Sequence, residues 1–471
     1  MKQEDFLSKL SQLIMSNRLT RYLLAKQIDR QIYKSLVIDE TKFSKEVRLD
    51  RYYGIKSLLV TAMKNVNRGL ISKQFASRTM ETLVKGAMIG SDAKLKLMKA
   101  YKEKYGMNPP GFIVISPTKK CNLKCIGCYA SSGGDNSETL EWSLIDKLMR
   151  ELHDEMGMRF FVISGGEPLM YQSEGKNILD LPRAWPDSFF LMYTNGTLIT
   201  QEIARAMSQL GNLTPAVSVE GFKAETDTRR GAGIHDRTLQ ALSNLQEARV
   251  PFGISVTATK KNAKLLAGDE FYNYYFGELG ASYMWMFQYM PIGREFTTDL
   301  MLTPADRFEL YKKWRSLIRN EHWFVADFWN SAEMCEGCIS CGKSYFYVDW
   351  NANIMPCVFI PYYKDNVRQI YAAGRKVADA MFSDFFVKGR EWQEKYLSKE
   401  APGANLLRPC LIRDHHKEFM EIARACNVLP EDEAAREAFN DEAYHQKMYA
   451  FDEELKAIED PYWKEFLAKK D

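Results

Sequence analysis

Cys121, Cys125 and Cys128 form a CxxxCxxC loop, Cys121-Asn-Leu-Lys-Cys125-Ile-Gly-Cys128, directly after the apolar run 111–116. Three thiols on one short loop are a metal-ligating set with one ligand missing. A cubane iron–sulfur cluster has four irons, so such a loop would leave one iron open to bind something else. An open iron implies chemistry rather than electron storage. A zinc knuckle with a distant fourth ligand uses the same spacing and is the structural alternative.

A second group lies far downstream, in Cys335-Glu-Gly-Cys338-Ile-Ser-Cys341-Gly342 followed by 345–357, which ends at Cys357. The stretch 345–357 reads as a β-hairpin turning at Asn351-Ala-Asn353, and it carries Cys357 back toward the earlier cysteines. Cys410 closes the run Asn405-Leu-Leu-Arg-Pro-Cys410. Six cysteines outside the first loop suffice for one four-coordinate cluster with two over, but not for two fully cysteine-ligated ones. Cys426 shares an apolar helical stripe with Phe419 and Ile422 and reads as a buried, inert thiol. His415-His416 beside Asp414 diverge in direction on a helix and are expected to face solvent without a chemical role.

These groups need elements that hold them. The chain has 471 residues, 46% of them hydrophobic, enough for one large core with flanking segments. Strand-like runs at 111–116, 159–164, 188–194, 214–220, 251–258 and 283–290 alternate with helical patterns. One of these is the stripe Trp142, Ile145, Leu148, Met149, Leu152 and Met156. Six strands joined by helices predict a parallel sheet with right-handed crossovers, open or as a partial (β/α) barrel, whose active site forms on the loops that follow the strands. In the run Tyr283-Met-Trp-Met-Phe-Gln-Tyr-Met290, inward-facing residues would line a large apolar pocket.

Before this core, residues 1–106 hold 22 Lys and Arg against 10 Asp and Glu, a surplus of +12 in a chain whose total is +3. Ile55, Leu58, Leu59, Ala62, Met63, Val66 and Leu70 recur there at helical spacing, which predicts basic amphipathic helices. Such helices pack on a core or lie on anionic lipid. Nucleic acid is not expected as a partner, because the aromatic platform it needs is missing. Asn108-Pro-Pro-Gly111 marks the boundary. The last segment is helical, with Phe439, Tyr444, Met448 and Phe451 as its packing stripe. The cysteines fit a reducing compartment, and neither a signal peptide nor a spanning run is seen, so the expected location is cytoplasmic, with the N-terminal region peripheral to a membrane.

The loop, with Tyr129 after its third cysteine, resembles the signature of the radical SAM superfamily. Gly165-Gly166-Glu167-Pro168 after the second strand is similar to that family's GGEP motif, whose backbone and carboxylate hold the methionyl amino group of S-adenosyl-L-methionine. The resemblance also implies cofactor contacts from Asn195 in Thr194-Asn195-Gly196, from Ser218 and Glu220 toward the ribose, and from Arg230, with Arg229 next, toward the methionyl carboxylate. The usual aromatic before the third cysteine is absent, since Gly127 stands there, which bears on local packing rather than ligation.

The cysteine-rich part resembles the auxiliary-cluster segment of SPASM and twitch-type members, implying one auxiliary [4Fe–4S] cluster on Cys338, Cys357, Cys410 and either Cys335 or Cys341, with a zinc site or two incompletely ligated clusters as the alternatives. The resemblance thus implies an α/β protein in four parts: a basic helical region (1–107), a radical SAM (β/α)6 partial TIM-type barrel (108–325), a SPASM/twitch-like auxiliary-cluster domain (326–428) and a helical end (429–471).

The implied activity is that of an oxidoreductase or C–C or C–X bond-forming enzyme. S-adenosyl-L-methionine would bind the open iron of the [4Fe–4S] cluster and be cleaved reductively to a 5′-deoxyadenosyl radical that abstracts a substrate hydrogen. The auxiliary cluster would assist oxidation or bond formation. The expected partners are a flavodoxin- or ferredoxin-like electron donor and a large substrate, lipid-like or peptide. The alternative is an iron–sulfur electron-transfer or sensing protein without turnover. The intact Glu167 and Arg230 argue against it, because an electron carrier needs no clamp for methionine.

Overall fold

A computed structural model describes residues 18–398 and 405–467. The six expected strands form, as β1 (Phe112–Ile115), β2 (Phe160–Ile163), β3 (Phe189–Thr194), β4 (Leu213–Ser218), β5 (Gly253–Ala258) and β6 (Tyr283–Gln288). They pair in chain order and in parallel, for example Ile113 with Phe161 and Met192 with Pro215.

Two further parallel strands extend the sheet beyond the six. β7 (Val325–Asp327) adds beside β6, and β8 (Tyr345–Val348), from the cysteine-rich part, adds beside β1. β9 (Asn353–Met355) and β10 (Asp365–Asn366) then continue antiparallel, giving the order β10-β9-β8-β1-β2-β3-β4-β5-β6-β7. The expected boundary after residue 325 therefore falls inside β7, and the cysteine-rich part shares the barrel's own sheet. The expected hairpin is β8–β9, where the Asp349 carboxylate accepts the N–H groups of Asn351 (2.9 Å) and Asn353 (2.7 Å) and fixes the turn.

Alternation decides the two faces of the sheet. Ile113, Phe161, Phe190 and Met284 point outward into the helix-covered core. There α5 (Trp142–Met156) buries Ile145, Leu148, Met149, Leu152 and Met156, each worth about 1.5–3 kcal/mol of transfer free energy. Val114, Val162, Leu191 and Ala216 point inward. Around the strands run α6 (Gln201–Leu210), α7 (Lys223–Arg230), α8 (Ile234–Glu247), α9 (Pro304–Ser316) and α10 (Asp384–Leu397), with α11 (His416–Ala425) and α12 (Glu442–Tyr462) at the end.

The N-terminal region is helical as expected, with α1 (Arg18–Tyr33), α2 (Lys45–Asn67), α3 (Lys73–Thr79) and α4 (Asp92–Tyr105). Its packing face differs from the expected one. On α2 the buried positions are Val47, Asp50, Tyr52, Gly54, Ser57, Thr61 and Asn65, while Ile55 is exposed and Leu58, Leu59 and Met63 are half-buried. Hydrogen bonds to the barrel decide this. Asn65 donates to the Gly280 carbonyl (2.7 Å), Thr61 donates to the His322 carbonyl (3.1 Å), and Asp50 pairs with Arg315 and Arg319. The apolar stripe instead meets α1 in part, with Leu59 and Met63 against Ile28.

The His415-His416 expectation is also corrected, since both are buried. His415 Nε2 lies 3.0 Å from the Arg408 carbonyl, and His416 Nε2 lies 3.0 Å from His445 Nδ1, because α12 covers this segment. Cys426 is fully buried, and Tyr444 and Met448 pack inward as the C-terminal stripe requires.

Candidate active site

The site sits at the C-terminal ends of the strands, where the loops after β1, β2 and β3 lock together. The Gly166 N–H donates to the Thr118 carbonyl (2.9 Å) and the Glu167 N–H to the Lys120 carbonyl (2.7 Å). A Cβ on Gly166 would collide with the Lys120 carbonyl, so only glycine lets these two loops close. Tyr129 ties the same pair from the other side: its hydroxyl shares a hydrogen bond with Ser164 Oγ (2.6 Å) and accepts the Gly165 N–H (3.2 Å).

The cysteine loop is braced by residues far away in sequence. The Ile126 N–H donates to the Arg229 carbonyl (2.9 Å), and the Arg294 N–H to the Cys128 carbonyl (3.0 Å). The Arg294 guanidinium donates to the Cys125 carbonyl (2.6 Å) and reaches the Ser132 carbonyl. Gly127 sits at φ +62°, and a Cβ there would come within 2.6 Å of the Tyr289 ring. The missing aromatic before Cys128 is thus replaced by Tyr289 covering the loop from β6. Sequence reasoning missed Arg294 and Tyr289 as site residues. Their one local signal is that both follow the end of β6, where loops feed the site.

Cys121, Cys125 and Cys128 all line one cavity of about 600 Å³. Burial pushes the Cys121 thiol up to about 12. Cationic or N–H groups stand by the sulfurs, with Arg230 Nη1 4.0 Å from Cys125 Sγ and Asn195 Nδ2 3.9 Å from Cys121 Sγ. Among the described residues no three metal-binding side chains converge closely enough for a single ion. A cubane spreads its thiolates over separate irons and is the group that three loop cysteines with adjacent donors fit.

Gly165, Gly166, Asn195, Ser218, Arg229 and Arg230 line the same cavity. Glu167 and Glu220 do not line it. The Glu167 carboxylate accepts from the Thr194 hydroxyl (2.7 Å) and from the backbone N–H groups of Asn195 (2.8 Å) and Leu169 (3.1 Å). Burial nevertheless raises its pKa above the ordinary carboxylate value. Glu220 accepts from Arg229 (2.5 Å) and from Arg230 Nε (2.8 Å) and Nη2 (2.6 Å), clamping both guanidinium groups at the cavity wall. Burial opposes the Arg230 charge, but Glu220 and the nearby loop thiols outweigh it and hold its pKa above the usual value. In this geometry both carboxylates position the groups that touch the cavity.

The second cysteine group lines the same cavity. Cys335, Cys338, Cys357 and Cys410 line the cavity, while Cys341 is buried elsewhere. Val114, Val162, Leu191, Tyr193, Trp285 and Phe287 line it too, so the inward residues of β6 do line a large apolar pocket.

Residues 115–261 match the family described as the Radical SAM superfamily, and this segment of the chain is a radical SAM domain. Such a domain works with S-adenosyl-L-methionine and a [4Fe–4S] cluster, which accounts for the cysteine loop and the polar shelf beside it. The chain is 28% identical over 295 residues to an AdoMet-dependent heme synthase of Methanosarcina barkeri, covering 56% of this chain and 80% of that protein. It is 32% identical over 168 residues to the mycofactocin maturase MftC of Mycolicibacterium smegmatis, covering 35% of this chain and 42% of the maturase. It thus spans less than half the length of that relative. The solved structure of SuiB from Streptococcus suis bound to S-adenosylmethionine shares the fold at a TM-score of 0.52 and 17% identity, covering 77% of this chain and 87% of that one.

Proposed function

We propose that this chain is a radical SAM enzyme acting on a large, apolar-bodied substrate, lipid-like in character, with a second iron–sulfur cluster facing that substrate. The observation that carries this is the wall between the two cysteine groups. It is built largely from aliphatic and aromatic side chains, with Ser218, Ser255, Thr257 and Gln288 among its polar members, it contains no histidine or carboxylate among the described residues, and its cations Arg229 and Arg230 are clamped by Glu220 beside the cysteine loop, where the methionyl carboxylate takes Arg230. A tetrapyrrole would bring carboxylates needing free cations, and a peptide backbone would bring donors and acceptors needing partners. A hydrocarbon body needs neither.

When bound, the cluster and S-adenosyl-L-methionine supply a 5′-deoxyadenosyl radical that takes a hydrogen atom from substrate. The protein's part is to hold and exclude. Cys121, Cys125 and Cys128 hold the cluster. Arg230 meets the methionyl carboxylate, the Gly165–Gly166 backbone passes close to the methionyl end, and Asn195 and Ser218 serve the nucleoside. Glu167 and Glu220 fix Asn195 and Arg230 in place. Trp285, Phe287 and their neighbours orient the substrate and keep water and stray hydrogen donors away.

The N-terminal region supports a lipid-like substrate independently. Of the twelve large hydrophobic side chains exposed among the described residues, eight lie between Leu19 and Leu95, including Leu19, Tyr22, Leu23, Ile38 and Met88. They sit in the segment with the +12 surplus, the combination that an anionic bilayer attracts. A flavodoxin- or ferredoxin-like protein would supply electrons. A peptide substrate is the second reading, favoured by the relative named as a maturase.

Anaerobic protein given dithionite and S-adenosyl-L-methionine should release 5′-deoxyadenosine. No product and no spectral change on adding the cofactor would identify an electron carrier instead. Mass spectrometry of lipid and peptide extracts from cells with and without the protein should show mass changes in the lipids. Changes confined to peptides would overturn the lipid reading.

A further inference from the structure

We infer that the cavity opens sideways beneath α2, at a mouth framed by Gly54, Ile55 and Met334, and that this mouth holds the anionic head of a lipid whose hydrocarbon chain runs inward toward the cysteine loop. This rests on the reading of an apolar-bodied substrate and adds to it the charge of the head and the direction of entry.

The cavity reaches α2, since Gly54 and Ile55 line it together with Phe324, Ala326 and Met334. Of its lining residues only Ile55, at 38%, and Cys335 are exposed, which puts a mouth between α2 and the turn Ala332–Cys335. Gly54 shapes that mouth. It stands in the interior of a helix, where glycine is weaker than alanine, and a Cβ there would come within 2.5 Å of Met334 Cε.

The helix is fixed on both sides of Gly54. Asp50 pairs with Arg315 (2.8 Å), while the Thr61 hydroxyl donates to the His322 carbonyl (3.1 Å) and accepts the Phe324 N–H (3.3 Å). The unbranched, flexible Met334 side chain is therefore the part of the frame that can move.

Cations gather beside the mouth. The charges acting on Cys335 are Lys343, Arg51 and Glu336, and Lys42 pairs with Glu336 (2.5 Å), so three cations meet one carboxylate. Arg51 precedes Ile55 by about one turn of α2 and holds its guanidinium over the Phe43 ring, 4.9 Å from the centroid. Its Nη1 is buried, lies 3.8 Å from the Glu336 carboxylate, and has no hydrogen-bond partner among the described residues. Such a nitrogen at the edge of an apolar channel is a place for a carboxylate or phosphate oxygen. The cations that line the interior are Arg229 and Arg230, which belong to the cofactor side. A molecule charged at one end only suits this division, with its head at Arg51 and its chain along Phe324, Ala326 and Phe328.

The test is equilibrium dialysis of radiolabelled palmitate, and of cetyl alcohol as its uncharged counterpart of equal chain length, against full-length protein reconstituted without oxygen. Palmitate should bind about tenfold more tightly than the alcohol. Arg51→Gln should remove that difference and leave the alcohol's affinity unchanged. Gly54→Leu, which pushes Met334 across the mouth, should weaken both probes by about tenfold or more. Adding Met334→Ala to Gly54→Leu should restore both, a rescue that a merely misfolded helix would not show. Equal affinity of the unmodified protein for the two probes would overturn the anionic head while leaving the apolar substrate in place, and this comparison does not depend on any variant folding. Unchanged binding to Gly54→Leu, or a loss that Met334→Ala does not reverse, would overturn the mouth. Failure of both probes to bind would overturn the inference as a whole, while lipids altered in cells that hold the protein would still report separately on the proposed function.

Discussion

The two cysteine groups line one cavity, yet they are built in opposite ways. Cys121, Cys125 and Cys128 stand within eight residues on one loop, whose shape is set by its neighbours' backbone and by Tyr129. Cys335, Cys338, Cys357 and Cys410 span 75 positions and reach the cavity only when β8 and β9 have paired and the segment before α11 has docked. In the first group the ligands are delivered by one loop, which distant residues such as Arg229 and Arg294 then brace. A gathered site depends on the packing of every element that delivers a ligand. Loss of one part should therefore do different damage at the two groups.

The largest expected effect is on the local side. Cys128→Ala should abolish 5′-deoxyadenosine formation while the second site keeps its iron, as measured by product assay and iron content together. Loss of iron from both sites would show that the two groups fold as one unit and would break the comparison.

On the gathered side the corresponding break is Arg307→Met. Arg307 is fully buried and pairs with Asp414 (2.5 Å), while its other nitrogen donates to the Leu407 carbonyl (2.5 Å). Asp414 in turn accepts the Cys410 N–H (3.1 Å). One guanidinium thus holds both ends of the segment that delivers Cys410. Removing it leaves a buried carboxylate with only Arg413 beside it, a loss of about 3–5 kcal/mol. Thermal unfolding should shift down clearly, and iron should fall at the second site before the first.

A smaller effect is expected from Tyr129→Phe. The ring stays, but Ser164 and the Gly165 N–H lose their shared hydroxyl, at about 1–3 kcal/mol. S-adenosyl-L-methionine should bind more weakly, with the second site's iron unchanged. An equal loss at both sites would mean that Tyr129 supports the whole barrel rather than the local loop.

The same division explains what could be read from the sequence. All six expected strands formed, because a buried parallel strand is announced by its own apolar run, and the residues of the cysteine loop and of Gly165–Glu167 are adjacent in the chain. What a side chain faces is not announced in that way. The stripe from Ile55 to Leu70 marked a helix correctly but not its buried face, since Asn65, Thr61 and Asp50 find partners on Gly280, His322 and Arg315, more than 200 residues away. His415 and His416 are buried because α12, nearly thirty positions further on, supplies His445. β8 joins β1 across more than 220 residues of intervening chain, so the cysteine-rich part shares the barrel's sheet where the family resemblance implied a separate domain. Arg294 and Tyr289 belong with these, as single residues whose role appears only when β6 is set beside the cysteine loop.

The smallest expected effect sharpens the gathered side through pH. Asp452 on α12 accepts the backbone N–H of His416 (2.7 Å), and burial first, with Asp414 adding to it, pushes its pKa up to about 8. In the unfolded chain the same carboxyl titrates near about 4. Between those values the folded protein holds a proton that the unfolded chain has released, so this carboxyl's contribution to stability is full below about pH 4 and drains away as pH rises toward about 8, at no more than about 1.4 kcal/mol per unit. Asp452→Asn keeps an oxygen for the His416 N–H and removes the titration. Melting temperatures measured from pH 5.5 to 7.5 should therefore fall less in the variant than in the parent protein. Glu459 on the same helix, also pushed by burial to about 8, keeps part of the slope in place. Parallel curves for the two proteins would mean that Asp452 is already ionised in the fold, and that α12 holds the Cys410 segment by charge rather than by a protonated, buried contact.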